Sequence, residues 1–185
     1  MRCQLLWLTP LVLGSVLCGC TGPDDPDILQ SSPLDLIPNS SFESNGVASL
    51  EGWTIGDSSF VRSVNIAAPS GGQWSLSIQT APFPGSYAFE RVPATEGTHR
   101  YRYSLWAKFS GQTYGAAGVS LWQYPGSSLV RTVFLPHDTT WTLHSVIDTL
   151  TASAQDSLVF LLIGGSNDNG VGQTFFDLCR IERLD

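Results

Sequence analysis

The chain has 185 residues, of which 42% are hydrophobic and only 14% are charged, and its formal net charge is −7. This hydrophobic content is sufficient for a folded core, so the composition argues against a wholly disordered chain. The negative charge argues against a non-specific nucleic-acid binder, because such proteins neutralise phosphates with many Lys and Arg side chains. The 18 Gly and 11 Pro residues favour turns and short strands over long helices.

Residues 1–19 have the composition of a secretory signal peptide. Arg2 provides a positive charge, and an apolar segment runs from Leu5 to Leu17. Such a segment is short for a membrane span and is typical of a cleaved signal. The closing sequence Leu17-Cys18-Gly19-Cys20 resembles the lipobox of bacterial lipoproteins. The resemblance implies cleavage after Gly19 and a lipid on Cys20 that anchors the protein to a membrane of the bacterial cell envelope. The alternative is plain secretion with a fortuitous cysteine.

Residues 20–36 predict a flexible tether. They are rich in Pro, Asp and Ser and show no hydrophobic periodicity, which is typical of an extended, solvated segment. We therefore expect the folded domain over residues 37–185. Its cysteine, Cys179, lies at a core-facing position of a predicted strand, so we expect it to be buried and unreactive.

Short strand-like segments follow one another from residue 37 onwards. Residues 157–163 are almost continuously apolar and predict a strand covered on both faces. Turn-forming Gly, Pro, Asn and Asp residues separate the segments. No window shows a helical stripe, so we predict an all-β fold, a β-sandwich or jelly roll. The predicted strands cover residues 74–80, 101–109, 117–124, 129–135, 141–147, 157–163 and 175–184.

Three short motifs resemble those of a known family. They are Asn39-Ser-Ser-Phe-Glu43 followed by Gly52-Trp53, then Tyr103-Ser-Leu-Trp-Ala-Lys108, and finally Phe176-Asp177. Together they resemble carbohydrate-binding modules of the galactose-binding-like jelly-roll superfamily, especially the type attached to xylanases and glucanases. The resemblance covers residues 37–184 and implies a β-sandwich that binds a polysaccharide or glycoconjugate.

The resemblance also implies a metal site. Many members of the family carry a structural Ca²⁺ ion between the two ends of the domain. By resemblance, Glu43 and Asp177 would provide side-chain oxygens, and Asn39 and Gly72 would provide backbone oxygens. Such a set forms the hard-oxygen cage that Ca²⁺ prefers. This chain lacks the second Asp of the family's closing Phe-Asp-Asp strand, so the alternative is two exposed carboxylates without a metal.

Strand alternation places aromatic residues among polar ones. Trp106 lies on the polar face of residues 101–109, and Trp122 and Tyr124 lie on the polar face of residues 117–124. If the two strands share a sheet, the three rings line one groove in which a sugar ring stacks. The alternative is that the rings fill the sheet under a loop, because a one-residue register shift reverses every side chain. The side chains expected to bond to the sugar hydroxyls are Arg102, Lys108 and Gln123.

The sequence gives little support for catalysis. It contains no Gly-x-Ser-x-Gly, His-Glu-x-x-His or Gly-x-x-x-x-Gly-Lys-Ser/Thr motif. It also offers no obvious pair of carboxylates for glycoside hydrolysis. We therefore expect a lipid-anchored protein that binds a polysaccharide or glycoconjugate and is not an enzyme. The alternative is a structural or protein-interaction lipoprotein that uses the same β-sandwich without a sugar.

Overall fold

The computed structural model describes residues 34–80, 87–111, 118–124, 128–136, 138–164 and 172–185. The predicted signal peptide, Cys20 and most of the predicted tether lie outside these ranges. In the described residues all regular secondary structure is β-strand, which confirms the predicted all-β class. No helix in these ranges is long and apolar enough to cross a membrane.

The strands of the described residues vary from two-residue bridges to the 14-residue β8. Their bounds are β1 (Leu34–Asp35), β2 (Glu43–Ser44), β3 (Val47–Ala48), β4 (Thr54–Ile55), β5 (Val61–Val64), β6 (Ser75–Gln79), β7 (Tyr87–Pro93), β8 (Gly97–Ser110), β9 (Gly118–Tyr124), β10 (Ser128–Phe134), β11 (Thr142–Ala152), β12 (Ser157–Ile163) and β13 (Gln173–Arg183).

Two antiparallel sheets form the sandwich. The first has the order β11-β8-β13-β6-β5, with β1 also paired to β13, and the second has the order β10-β9-β12-β7-β4. A separate ribbon joins β2 to β3. Leu34 pairs with Arg183, so the sandwich begins before the predicted boundary at Ile37. The end of the predicted tether is ordered because β13 supplies it with backbone hydrogen-bond partners.

The core lies between the sheets and follows the period-two alternation of the strands. On β8, alternate residues from Tyr101 to Phe109 are buried, as their pattern predicts. On β12 of the second sheet, Leu158 and Phe160 are fully buried, and Cys179 on β13 is buried as predicted. Burying an aliphatic or aromatic side chain of this size contributes about 1.5–3 kcal/mol, so this layer holds the two sheets together.

Two of the longer strands, both in the second sheet, differ from the sequence-based prediction. On β12 only the inward-facing side chains are buried, whereas those on the outer face are half-buried, so the prediction that both faces are covered is wrong. β7 is missing from the predicted strands because Glu90 and Arg91 interrupt its hydrophobic pattern and Pro93 ends it. The short strands β1 to β5 are missing as well, because two to four residues are too few to show an alternating pattern.

Candidate functional site

The predicted aromatic groove is divided between the two faces of the sandwich. Trp106 lies on β8 in the first sheet, whereas Trp122 and Tyr124 lie on β9 in the second sheet. The expectation that these strands share a sheet is therefore wrong. The chain changes sheets after β8, and alternation within a strand identifies its inner face but not the sheet that it joins.

Trp106 lines a groove on the outer face of the first sheet, with a volume of about 710 Å³. The strand register places Trp106 opposite Leu143 of β11 and Arg102 opposite Ile147. Arg102 lines the same groove. Two of the predicted sugar-binding residues, Trp106 and Arg102, thus share one concave surface.

Lys108 lies further along the outer face of β8, where it contacts aromatic rings of the protein itself. Its Nζ lies 5.2 Å from the ring centre of Trp141 and 5.1 Å from that of Phe175. Cation–π contacts of this kind contribute about 0.5–1 kcal/mol at exposed sites. Lys108 therefore covers these two rings and does not line the groove around Trp106.

Gln123 lies on the side of β9 opposite to Trp122. It pairs in register with the buried Leu158, and its Nε2 donates to the Thr151 carbonyl (2.7 Å) and to Oδ2 of Asp156 (2.8 Å). Backbone donation from Ser153, followed by the bond from Gln123, holds the pKa of Asp156 below its usual value. The structure therefore bonds the Gln123 amide within the protein and places it away from the Trp122 ring.

The outer face of the second sheet carries three aromatic side chains, on two strands that β12 separates. Trp122 on β9 pairs with Val159 of β12, and Val159 pairs with Arg91 of β7. Tyr87 and Phe89 lie on the same face of β7, with their rings stacked at 6.4 Å and 21°. All three aromatic side chains are half-buried. The sequence-based prediction missed Tyr87 and Phe89 because it missed β7.

Two further observations concern β9. The Nε1 atom of Trp122 is buried and has no hydrogen-bond partner in the described part of the chain. A buried N–H without an acceptor costs about 1–3 kcal/mol, and because this atom has almost no exposed surface, the part of Trp122 that a ligand can reach is the rest of its ring. Tyr124 pairs through its backbone with Ser157, but its side chain lies outside what the structure describes.

The structure brings Glu43 and Asp177 together beside the turn of residues 68–74. Asp177 is fully buried, and its carboxylate accepts backbone N–H bonds from Ala68 (2.8 Å) and Leu178 (2.7 Å). Burial raises the pKa of Asp177 to about 7, and the neighbouring charge of Glu43 adds to this effect. A buried carboxylate with a second carboxylate beside it favours a bound cation.

Two glycines let the turn approach these carboxylates. A Cβ atom at Gly71 would collide with the Asp177 carboxylate, and one at Gly72 would collide with that of Glu43. The backbone therefore passes directly beside both acids, as a cage of carboxylate and carbonyl oxygens requires, and the residues fit Ca²⁺. No group of three or more His, Cys, Asp or Glu in the described ranges could hold a metal, so backbone oxygens would have to complete the set.

Glu43 is fixed by the same turn, since its Oε2 accepts backbone N–H bonds from Gln73 (2.9 Å) and Trp74 (3.3 Å). Asn39 has a different role. Its Nδ2 donates to the carbonyls of residues 49 and 51, and its own carbonyl accepts the indole N–H of Trp53 at 3.0 Å. These hydrogen bonds explain the spacing between Asn39 and Trp53 in the sequence. They also show that the Asn39 carbonyl, which was predicted to bind the metal, accepts a hydrogen bond from Trp53.

Glu90 is a second buried carboxylate that the sequence-based prediction missed. It is 5% exposed, and its Oε2 has no hydrogen-bond partner in the described residues. Burial, followed by the charge of Asp35, raises its pKa to about 7. Glu90 borders a pocket of about 400 Å³ that Glu43 and Glu51 also line. The sequence did contain a signal for the burial of Glu90. This residue lies between the apolar Ala88 and Val92, and alternation along a strand puts all three residues on the inner face.

By its fold, the domain is a β-sandwich of the kind found in carbohydrate-binding modules. One similar structure is TmCBM61 in complex with β-1,4-galactotriose, with a TM-score of 0.56 and 16% identity over 81% of this chain and 99% of that chain. Another is the CBM22-1 xylan-binding domain of Xyn10C from Paenibacillus barcinonensis, with a TM-score of 0.54 and 14% identity over 83% of this chain and 96% of that chain. The likeness confirms the predicted jelly-roll fold.

The enzymatically active domain of tailspike protein 4 from bacteriophage CBA120 is also similar, with a TM-score of 0.58 and 16% identity. That match covers 81% of this chain but only 21% of the tailspike chain, so this protein spans about a fifth of it. No protein-family model matches the sequence, and no curated protein matches it. At these identities the solved structures establish the fold alone.

Proposed function

We propose that this protein binds a polysaccharide or glycoconjugate, without catalysis, on the outer face of the second sheet. The observation that carries the proposal is the partly exposed ring of Trp122 on the outer face of the second sheet. The stacked rings of Tyr87 and Phe89 lie on the same face. These three side chains give that face aromatic area that a ligand can reach.

A sugar ring has an apolar C–H face and a rim of hydroxyl groups. The flat rings of the second sheet offer apolar area for the C–H face. Binding of this kind needs no reacting acid or nucleophile.

The experiment is a titration of the full chain in mild detergent, with ¹⁵N label on its six tryptophans. The Trp122 indole signal is assigned by its loss in Trp122→Phe. The test glycans are β-1,4-galactotriose and xylohexaose, chosen from ligands bound by similar modules. We expect a saturable shift of the Trp122 signal with at least one of them.

Trp122→Ala should weaken this binding at least tenfold, which corresponds to about 1.4 kcal/mol. Trp141→Ala is the matched control, because Trp141 lies beneath Lys108 and away from the second sheet. A Trp122 signal that no test glycan moves, or an affinity unchanged in Trp122→Ala, would contradict the proposal.

We further propose that Glu43 and Asp177 hold a structural Ca²⁺ ion. The buried carboxylate of Asp177, the neighbouring charge of Glu43 and the close approach of Gly71 and Gly72 support this assignment. Bound there, the ion would supply positive charge that neutralises the two acids and fixes the turn of residues 68–74 against β13.

The lipobox-like sequence supports a third proposal, that Cys20 carries a lipid anchoring the protein to the bacterial envelope.

A further inference from the structure

The groove around Trp106 lies on the side of the sandwich opposite the aromatic face of the second sheet. Its walls are set by strand register. Leu143 of β11 stands opposite Trp106 of β8 and forms one wall, and Ile147 stands opposite Arg102 and forms the other. Leu143 is 53% exposed and Ile147 is 43% exposed. The walls therefore offer apolar area to a ligand.

Small and polar residues form the floor between these walls. Ser145 of β11 pairs with Ser104 of β8, and Ser104 pairs with Arg180 of β13. Because residues two apart on a strand are separated by about 7 Å, each wall lies about 7 Å to one side of this middle row along the strands. The groove thus crosses three strands over two hydroxyl groups and a guanidinium.

Each arginine that lines the groove has an acidic partner. Arg102 lies 3.7 Å from Glu182, and Arg180 lies 3.7 Å from Asp35, which stands outside the groove. These distances exceed those of hydrogen bonds, so the ion pairs leave the guanidinium N–H groups available to a ligand. Because each guanidinium is opposed by a carboxylate, the groove suits a neutral polyhydroxylated ligand better than an ionic one.

The end of the groove at β13 is held in a constrained backbone conformation. Ser70 has φ +66° and Leu178 has φ +47°, a region that costs non-glycine residues about 1–3 kcal/mol. Both residues line the groove. Asp177 fixes both segments, since its carboxylate accepts the backbone N–H groups of Ala68 and Leu178. This end of the groove is therefore organised before any ligand arrives.

The arrangement differs from a protein-docking surface. Protein interfaces place apolar residues at the centre and polar residues at the rim. Here the centre carries Ser104, Ser145 and Arg180, and the apolar side chains stand at the walls. A sugar matches this order, because hydroxyl groups can bond to the floor while a C–H face rests on the Trp106 ring.

We propose that this groove is a second saccharide-binding site, for a neutral oligosaccharide, so that the domain binds glycans on both faces. The proposal rests on the proposed function, since it assigns the second site to the same class of ligand. Trp106 provides the stacking surface, and Arg102 and Arg180 donate hydrogen bonds to the hydroxyl oxygens of the sugar. The side-chain hydroxyls of Ser104 and Ser145 form hydrogen bonds to the sugar from the floor of the groove.

The test follows the Trp106 indole signal of the ¹⁵N-tryptophan-labelled full chain, assigned by its loss in Trp106→Phe, during titration with the same glycans. We expect a saturable shift with an affinity of its own, at least tenfold weaker in Ser145→Phe, which fills the floor without removing a wall. Thr149→Phe is the matched control, because Thr149 is exposed on the same strand and lies outside the groove. It should leave the affinity unchanged.

The outcomes separate the two proposals. A glycan that moves the Trp122 signal but never the Trp106 signal overturns the second site and leaves the proposed function standing. A shift of the Trp106 signal alone supports the second site and contradicts the binding face of the second sheet. If neither signal moves, both proposals fail. A Trp106 shift that survives Ser145→Phe, or that follows protein concentration instead of glycan, also overturns the second site.

Discussion

Buried carboxylates are the main electrostatic feature of single residues in this domain. Burial raises the pKa of Asp177 and of Glu90 to about 7. A raised pKa means that the folded protein holds the proton more tightly than the unfolded chain. The stability from such a group is complete below the unfolded pKa and is lost as the pH rises through the folded pKa. Either protonation or a cation can relieve this cost.

Glu90→Gln should make the domain more stable at pH 8 and change little at pH 4. The amide mimics the protonated acid, so it removes a cost on the order of 3 kcal/mol that develops between pH 4.5 and about 7. Urea unfolding at pH 4, 6 and 8 measures the difference from the native protein. Glu51→Gln is the control, since Glu51 is exposed in the same pocket. A difference that is constant with pH would contradict this explanation.

Ca²⁺ should raise the thermal unfolding midpoint of the native protein by several degrees, and EDTA should reverse the shift. Glu43→Gln should abolish the calcium effect, because it removes one of the two carboxylates beside Gly71 and Gly72. Glu51→Gln serves again as the control and should keep the full shift. An equal calcium shift in Glu43→Gln and in the native protein would place the ion at another site. The absence of any calcium shift in the native protein would contradict the proposed calcium site.

At the scale of elements, a polar cluster joins the edges of the two sheets. The hydroxyl of Tyr103 on β8 donates to Asp148 on β11 at 2.7 Å. Asp148 also lies 3.7 Å from Arg131 on β10, the edge strand of the second sheet. Burial, together with the bond to Asp148, raises the pKa of Tyr103 above its usual value. The cluster therefore connects β8, β11 and β10.

Tyr103→Phe should destabilise the domain by about 1–2 kcal/mol, because it removes a buried hydrogen bond and leaves Asp148 without this donor. Arg131→Gln should cost less than about 1 kcal/mol, since its guanidinium is half-exposed and the ion pair is screened by water. Urea unfolding at pH 7 compares the two variants. A larger loss in Arg131→Gln than in Tyr103→Phe would reverse the proposed ranking.

The strands also show where hydrophobic alternation correctly predicts the buried face and where it does not. The alternation of residues 101–109 correctly predicts the buried face of β8, because every second residue of a strand shares a face. The same reasoning places Trp106 on the outer face. It fails for β7, where Glu90 occupies an inward position that the pattern reserves for apolar residues. A buried acid is energetically unfavourable on its own, so a local pattern gives no reason to expect one.

At the scale of the whole molecule, two ligand-binding faces on one domain would let the protein contact glycan on opposite sides. Linked sites of this kind raise the apparent affinity for a polymer because the second contact is intramolecular. The first sheet carries Trp106 and the second carries Trp122, so loss of one ring should leave the other site intact. A lipid on Cys20 would keep both faces at the envelope.

Cys20→Ser should release the protein from the membrane fraction of a bacterial host and abolish its labelling with a fatty-acid analogue. The reason is that the proposed lipid is attached to the sulfur atom of Cys20. Cell fractionation and in-gel detection of the label measure both effects. Cys179→Ser is the control for cysteine loss, and it should keep the label. Labelling that persists in Cys20→Ser would reject the lipoprotein proposal.

The fold class, the buried face of β8 and the burial of Cys179 could be predicted from the sequence, because they depend on local alternation and turn chemistry. The sequence could not predict that Trp106 and Trp122 lie on different sheets, that Gln123 bonds to Thr151 and Asp156, or that Glu90 is buried. These features depend on the pairing of strands, which is set by contacts between distant segments. A period of two residues specifies a face, but it carries no information about the neighbour across the sheet.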